Sequence, residues 1–325
     1  MNVPKITPVS NHNPFDELIS DCQDDPVKIQ HRYEAHRSTR NAQSKATLLS
    51  SNFIGWQVDE ILSKLHAQSF GPSSEDELPF VDPRNNLNFY ARPPQHIQNL
   101  IAEIQGEIQS VVPGIWLTPP DFLHTTVLEI ASSRTPVEIE ALASHMQQSG
   151  ALARLTDYTF HHQARLVKPI VSYDAAAMAL SFVPAAGEKT AWKRSAEDDD
   201  YTYHHLRRDL YAVVAATGVQ LKPRYLVPSA HITIARFITQ DISHLGSSMT
   251  KEQGVNHAQV AVLLNKIEQI NRKVQTMYWP REDQSILSNA EWVVGEETGL
   301  EFCKGPCWYG EGEKVLVGKA IERGD

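Results

Sequence analysis

Cysteine is scarce in this chain: only Cys22, Cys303 and Cys307 occur among 325 residues. So few thiols cannot form a disulfide framework, and they suit a reducing compartment. Cys303 and Cys307 have no two further ligands near them in the sequence, so no zinc site is expected. Long apolar runs are missing as well. No stretch reaches the roughly 18 residues of a membrane-spanning helix, and the opening MNVPKITPVSNHNPF lacks the apolar core of a signal peptide. Positive charge is in short supply, with 30 Lys and Arg against 39 Asp and Glu, a formal net charge of −9 and a pI near 5.9. Proteins that coat nucleic acid rely on many basic contacts to phosphates. Extended nucleic-acid binding is therefore not expected, although a small or terminal phosphate could sit in a locally positive cleft. These absences describe a soluble intracellular protein, cytoplasmic or nuclear, without membrane contact and long enough to bury a large core.

What the chain does contain is a pair of matching stretches, LHTTVLEI at 123–130 and AHITIARF at 230–237. Each reads His, any residue, Thr, apolar. Successive side chains of a strand point to opposite faces, so His124 shares a face with Thr126, and His231 with Thr233. Both stretches follow a proline-containing approach, TPPDF at 118–122 and VPSA at 227–230, and both come after an amphipathic helix. Brought side by side, two such strands would place two imidazoles and two hydroxyls in one cleft.

The remaining pattern fits this pairing. Residues 1–84 read as a helical N-terminal extension, with a weak helix around Val27, Ile29 and Tyr33 and a better one from Trp56 to Leu65. The basic cluster of His31, Arg32, His36, Arg37 and Arg40 reads as a solvated helix face, and 68–80 as a loop. LNFYAR, 87–92, alternates as a strand, with Leu87, Phe89 and Ala91 on one face and Asn88, Tyr90 and Arg92 on the other, facing a cleft. Pro93 and Pro94 open a helix carrying Ile97, Leu100, Ile101, Ile104, Ile108 and Val111 inward. Thr135-Pro136-Val137-Glu138 has the form of a capping box. Strand-like runs come next at 158–167, which carries His161 and His162 in structural or surface roles, and at 170–183. Asp198, Asp199 and Asp200 precede a helix at about 201–217, where anions suit the positive end. A last helix carries Val260 to Val274 inward, and strand-like runs at 291–304 and 313–321 flank CKGPCWYGEG. The G-x-G of 310–312 lacks strand-to-helix context and reads as a hairpin turn. Trp308 and Tyr309 are read as packing in that hairpin, with stacking on a base as the alternative. The order strand, helix, His strand thus occurs twice, and the two His lie 231 − 124 = 107 residues apart.

Paired H-x-T-x strands in two α/β halves resemble the 2H phosphoesterase superfamily over roughly 85–321. The stretches FVDPRNNLNFYARPP, IWLTPPDFLHTTVLEIA and LRRDLYAVVAATGVQLKPRYLVPSAHITIARF further resemble a fungal group described as RNA ligase/cyclic nucleotide phosphodiesterases. The resemblance implies an α+β chain with a two-lobed, duplicated 2H phosphoesterase fold over 85–325. Antiparallel sheets would flank a central cleft, with lobes at about 85–185 and 186–325 and strand exchange between them allowed. It also implies His124 and His231 as catalytic and Thr126 and Thr233 as phosphate ligands. Thr125 departs from the pattern, where many members carry an apolar residue, and nothing in the N-terminal extension maps onto the shared core.

The chemistry expected is metal-independent cleavage of a cyclic phosphodiester, a 2′,3′-cyclic nucleotide or RNA end, without a cofactor. One imidazole would deprotonate water and the other would protonate the leaving oxygen, while the Thr hydroxyls bind the non-bridging oxygens. Tyr90 and Arg92 are further candidates for the cleft wall. Two alternatives stand beside this: a module that only binds a nucleotide or RNA end, and a two-histidine enzyme acting on a non-phosphate small molecule. A metal-dependent phosphodiesterase is disfavoured, since neither motif has a cluster of carboxylate and His ligands at metal spacing.

Overall fold

The computed structural model describes residues 12–70, 79–189, 196–221, 226–242, 255–283, 285–287, 289–309 and 312–321. The helices are α1 (Asp16–Asp21), α2 (Pro26–Leu49), α3 (Glu60–Phe70), α4 (Gln95–Gln109), α5 (Pro136–Gln148), α6 (Leu152–Thr156), α7 (Tyr158–His161), α8 (Tyr203–Ala216) and α9 (His257–Tyr278). The strands are β1 (Asn85–Ala91), β2 (Trp116–Leu117), β3 (Thr125–Arg134), β4 (Arg165–Tyr173), β5 (Ala177–Pro184), β6 (Ala230–Arg236), β7 (Trp292–Val293), β8 (Glu301–Gly305) and β9 (Glu313–Val317). The chain is α+β with two antiparallel sheets, one of them curled as a half-barrel, and with helices at its N-terminal end.

One sheet has the order β3-β1-β8-β9 and the other β2-β6-β5-β4-β7. The two histidine-bearing stretches therefore lie in different sheets: β3 is an edge strand, and beyond β6 only the two-residue β2 adds pairing. The sheets do not follow the sequence halves. Strands β4 and β5, for which the sequence leaves open the first lobe or a crossing between lobes, pair into the sheet of β6, while β8 and β9 from the C-terminal end complete the sheet of β1 and β3. Hydrogen-bonded partners in each sheet thus come from both sides of position 185, the exchange of strands that the sequence reading allowed.

Local chemistry sets several boundaries. Thr135 and Glu138 form the reciprocal capping box at the start of α5, and the apolar stripe of α4 is buried from Ile97 to Ile108. Thr202 caps α8 together with His205. The strand expected at 158–167 is instead two short helical turns, α6 and α7, succeeded by β4 from Arg165. Asp199, just ahead of α8, pairs with the buried Arg165, which also meets Glu291. Arg37, read as part of a solvated face, is buried, and its guanidinium donates to the carbonyls of Lys168 and Ser181. The helix expected from Trp56 starts only at Glu60. Trp56 lies in an extended segment, where its ring stacks on Phe237 at 3.9 Å between centroids.

The N-terminal helices share the main core. Phe15, Ile29, Tyr33, Leu48, Phe53 and Trp56 belong to the same buried cluster as Phe89, Ile101, Val127 and Ile232. The expected turn residues 310–311 and most of the expected loop at 68–80 lie outside the described residues. Among the described residues, no helix is long and apolar enough to cross a membrane.

Candidate active site

A cavity of about 230 Å³ opens where β3 faces β6, and His124, Thr126, His231 and Thr233 all line it. Strand alternation brings each His and its Thr to the same side. In β6, His231 and Thr233 are half-buried while Ile232 and Ile234 are fully buried behind them. Thr125 likewise points away from the cavity and is buried.

Beyond each Thr the alternation breaks. Phe89 pairs with Leu128 and Tyr90 with Thr126, which leaves Val127 as an extra residue in β3. In β6, Met178 pairs with Ala235 and Ala179 with Thr233, which leaves Ile234 extra. An extra residue reverses the facing of the positions after it. Glu129 and Arg236, each five positions after its His, are thereby turned into the cavity, where strict alternation would have pointed them away. The two motifs are therefore matched over six residues and end in opposite charges.

Helix α8 supplies a third charged group. Arg207 is buried, lines the cavity, and donates from Nε to the carbonyl of Val127 at 3.3 Å and from Nη1 to that of Val227 at 2.9 Å. It thus meets the backbone of the very residue that interrupts the β3 ladder. Its guanidinium carbon lies 4.5 Å from the centre of the Phe15 ring, so α1 and its approach support it from behind. Trp116, Phe122, Trp308 and Tyr309 add aromatic surface to the cavity.

The two imidazoles are anchored differently. His124 donates from Nδ1 to the Phe122 carbonyl at 2.7 Å, which fixes the tautomer and leaves Nε2 available to a ligand. His231 Nδ1 and Ser229 Oγ are 2.9 Å apart. Burial, with the positive charge of Arg207 and Arg236 added, lowers the pKa of His231 to about 4. Burial likewise lowers His124 to about 4, with Arg92, His231 and Arg236 adding to the effect against the Phe122 hydrogen bond. Both rings are therefore neutral at pH 7.

Tyr90 and Arg92, read as cleft-wall residues, do not line the cavity. Both stand behind His124. Strand β1 is an inner strand of its sheet, and both of its faces are buried. The Tyr90 ring lies 4.0 Å from that of His124. Arg92 pairs with the buried Glu301 at 2.7 Å and donates to the carbonyls of Asp121 and Leu123, which fixes the turn leading into His124. Trp308 and Tyr309 both pack beside Arg84 and line the cavity.

Sequence reading misses Arg207, Arg236 and Glu129. A signal for the last two is present: in both motifs the Thr precedes two adjacent apolar residues, Val127-Leu128 and Ile234-Ala235, and then a charge. Such a pair breaks the alternation at the place where the structure has its extra residue, but it does not by itself distinguish a bulge from a strand buried on both faces. Arg207 has no such signal, since its position depends on how α8 packs.

Among the described residues, His96, Glu296 and Glu297 bring ligand atoms within 4.8 Å of one another. Glu297 accepts from the first backbone N–H of α4 and His96 donates to the Glu291 carbonyl, so two of the three groups already have partners within the protein. The three cysteines are free and buried.

No protein-family model and no curated protein matches the chain. It is similar to a solved structure from Agrobacterium tumefaciens, a conserved protein of unknown function, with 13% identity and a TM-score of 0.43 over 77% of this chain and 92% of that one. Likeness at this level assigns no family.

Proposed function

We propose that the protein is a metal-independent phosphodiesterase acting on a cyclic phosphate, a 2′,3′-cyclic nucleotide or RNA end, and that its two sheets are the lobes of a 2H phosphoesterase-like fold. The observation that carries this reading is the meeting of His124, Thr126, His231 and Thr233 in one cavity with two guanidinium groups, Arg207 and Arg236. Two proton-transfer groups, two hydroxyl donors and positive charge answer the needs of a phosphodiester in turn. The aromatic surface beside them suits a nucleobase.

In this mechanism a water attacks phosphorus while one imidazole takes its proton. The bond from phosphorus to the leaving oxygen breaks as the other imidazole, protonated, gives that oxygen a proton. A cyclic diester becomes a monoester, and the two rings have exchanged protonation states. Thr126 and Thr233 donate to the non-bridging oxygens as charge grows there, and the arginines hold the anion. The depressed pKa values assign part of this work to the substrate. An anion entering the cavity opposes the effect of Arg207 and Arg236 and raises the imidazole pKa values, so binding helps recruit the proton that the acid must carry.

The test is turnover of 2′,3′-cyclic nucleotides and short RNAs with cyclic ends, in chelator, for the wild type and for His124→Ala and His231→Ala. General acid and base groups are worth about 10²–10⁴ in rate, so each variant is expected to lose at least about a hundredfold. Turnover indifferent to both substitutions would sink the proposal. Tight nucleotide binding with no turnover in the wild type would replace it with the binding-module reading.

A further inference from the structure

The cavity wall is braced from behind by a residue of the N-terminal extension, outside both motifs and the strands that carry them. We propose that Asp59 is a positioning residue, holding the Arg236 guanidinium and the Tyr309 hydroxyl in place for the substrate; this rests on the phosphodiesterase reading above.

Asp59 makes four kinds of contact at once. Its backbone N–H donates to the carbonyl of Phe237, the residue next to Arg236, at 2.9 Å. One carboxylate oxygen accepts from the Leu62 N–H at 3.0 Å and so starts α3. The other accepts from the Tyr309 hydroxyl and lies 3.7 Å from Arg236 Nη1. Arg84 Nη1 is 3.4 Å from both oxygens, while Arg84 itself is held by Asp82 and covers the rings of Trp308 and Tyr309. Apolar packing fixes the arrangement, with Leu62 and Leu65 of α3 against Ile238, Trp116, Trp308 and Tyr309.

Of these partners, Arg236, Tyr309, Trp116 and Trp308 line the cavity, whereas Asp59 does not. Its action on the cavity is indirect. Burial would raise its pKa, but the hydrogen bonds of Tyr309 and Leu62 and the charges of Arg84 and Arg236 outweigh it and hold the carboxyl below the usual range. The group is an anion at neutral pH. A fixed anion behind Arg236 restrains its direction, and the bond from Tyr309 sets the ring at the cavity wall.

The predicted effect separates positioning from mere support. Asn still caps a helix, so Asp59→Asn should retain α3 while removing the charge. Loss of fixed geometry at the reacting centre lowers kcat, by about tenfold here. KM should stay the same or fall, because Arg236 no longer shares its charge with Asp59. Tyr309→Phe should lower kcat in the same way, and the Asp59→Asn/Tyr309→Phe pair should be less harmful than the product of the single losses, as coupled residues are. A raised KM with a lowered Tm, a kcat within about twofold of wild type, or fully multiplicative losses would overturn the inference. His124→Ala, run in parallel, tests the phosphodiesterase reading separately. Should no cyclic substrate be turned over, binding of inorganic phosphate takes the place of kinetics: Asp59→Asn should change affinity by about threefold beside Arg236 and leave it unchanged in an Arg236→Met background. An equal change in both backgrounds would overturn the role of Asp59, and a wild-type cavity that binds no phosphate would overturn both readings.

Discussion

At the residue scale, the neutral histidines decide how the protein should respond to pH. The proposed mechanism needs one imidazole protonated and the other not, and with both values near 4 the singly protonated pair declines as pH rises above that range. We expect kcat/KM to have its optimum on the acid side of neutrality and kcat, measured with substrate bound, to hold to higher pH. Identical profiles for the two parameters would count against recruitment of the proton by substrate. Replacing Thr126 or Thr233 by Val keeps the shape and removes the donor; each should lower kcat by about 10²-fold, read in steady-state kinetics.

His204 makes a separate prediction for stability. It is buried, donates from Nε2 to the Phe15 carbonyl at 3.0 Å, and meets the Tyr33 hydroxyl at Nδ1 at 2.9 Å. Burial lowers its pKa from 6.5 to about 3, with Arg207 adding to the effect. Between these values the unfolded chain binds a proton that the folded chain refuses, so stability falls as pH drops below 6.5. At pH 5 the loss from this group is about 2 kcal/mol. Denaturant unfolding at pH 7.5 and 5 should show at least that decrease, since His124 and His231 act in the same direction, and His204→Gln should reduce it.

At the element scale, the strands are legible in the sequence wherever period two governs them. His124 and Thr126, and His231 and Thr233, fall on one face from their spacing alone, because a two-residue repeat permits no other outcome. The bulges are not legible by alternation, and so Glu129 and Arg236 escape it. Strand β1 misleads for another reason: its alternating polar residues, Asn88, Tyr90 and Arg92, suggest a cleft face, but Tyr90 packs with Cys303 and Cys307, and the polar groups serve one another and His124. Helix starts with explicit caps are the most readable boundaries. Thr135→Ala should cost about 1 kcal/mol in denaturant unfolding and leave activity unchanged, since α5 does not reach the cavity.

At the scale of the whole molecule, the N-terminal extension is the hardest part to read. Its pattern is weak because α2 buries only a few scattered residues, Ile29, Tyr33, Arg37 and Leu48 among them, over 24 positions. Those few nevertheless enter the common core, and Phe15 covers Arg207 while Asp59 meets Arg236. Removal of residues 1–84 is therefore expected to abolish a cooperative unfolding transition rather than release an independent active domain. Calorimetry of the truncated chain would check this, and a sharp transition with retained turnover would refute it. Within the intact chain, Trp56→Ala removes the ring stacked on Phe237 and should cost about 3–5 kcal/mol, measured by denaturant unfolding.

The placement of β8 beside β1 also has a bearing on synthesis. Strand β1 gains one of its two neighbours only when residues 301–305 are made, and β9 completes the sheet later still. A ribosome delivers the chain at about 5–20 residues per second, so the 210 residues from Ala91 to Glu301 take on the order of 10–40 s. Throughout that interval the inner strand of the first sheet is an open edge, able to pair with another nascent chain. Attendance by a chaperone during translation, and aggregation of truncated products ending before 301, are the expected marks of a cavity whose scaffold is closed by late-made strands.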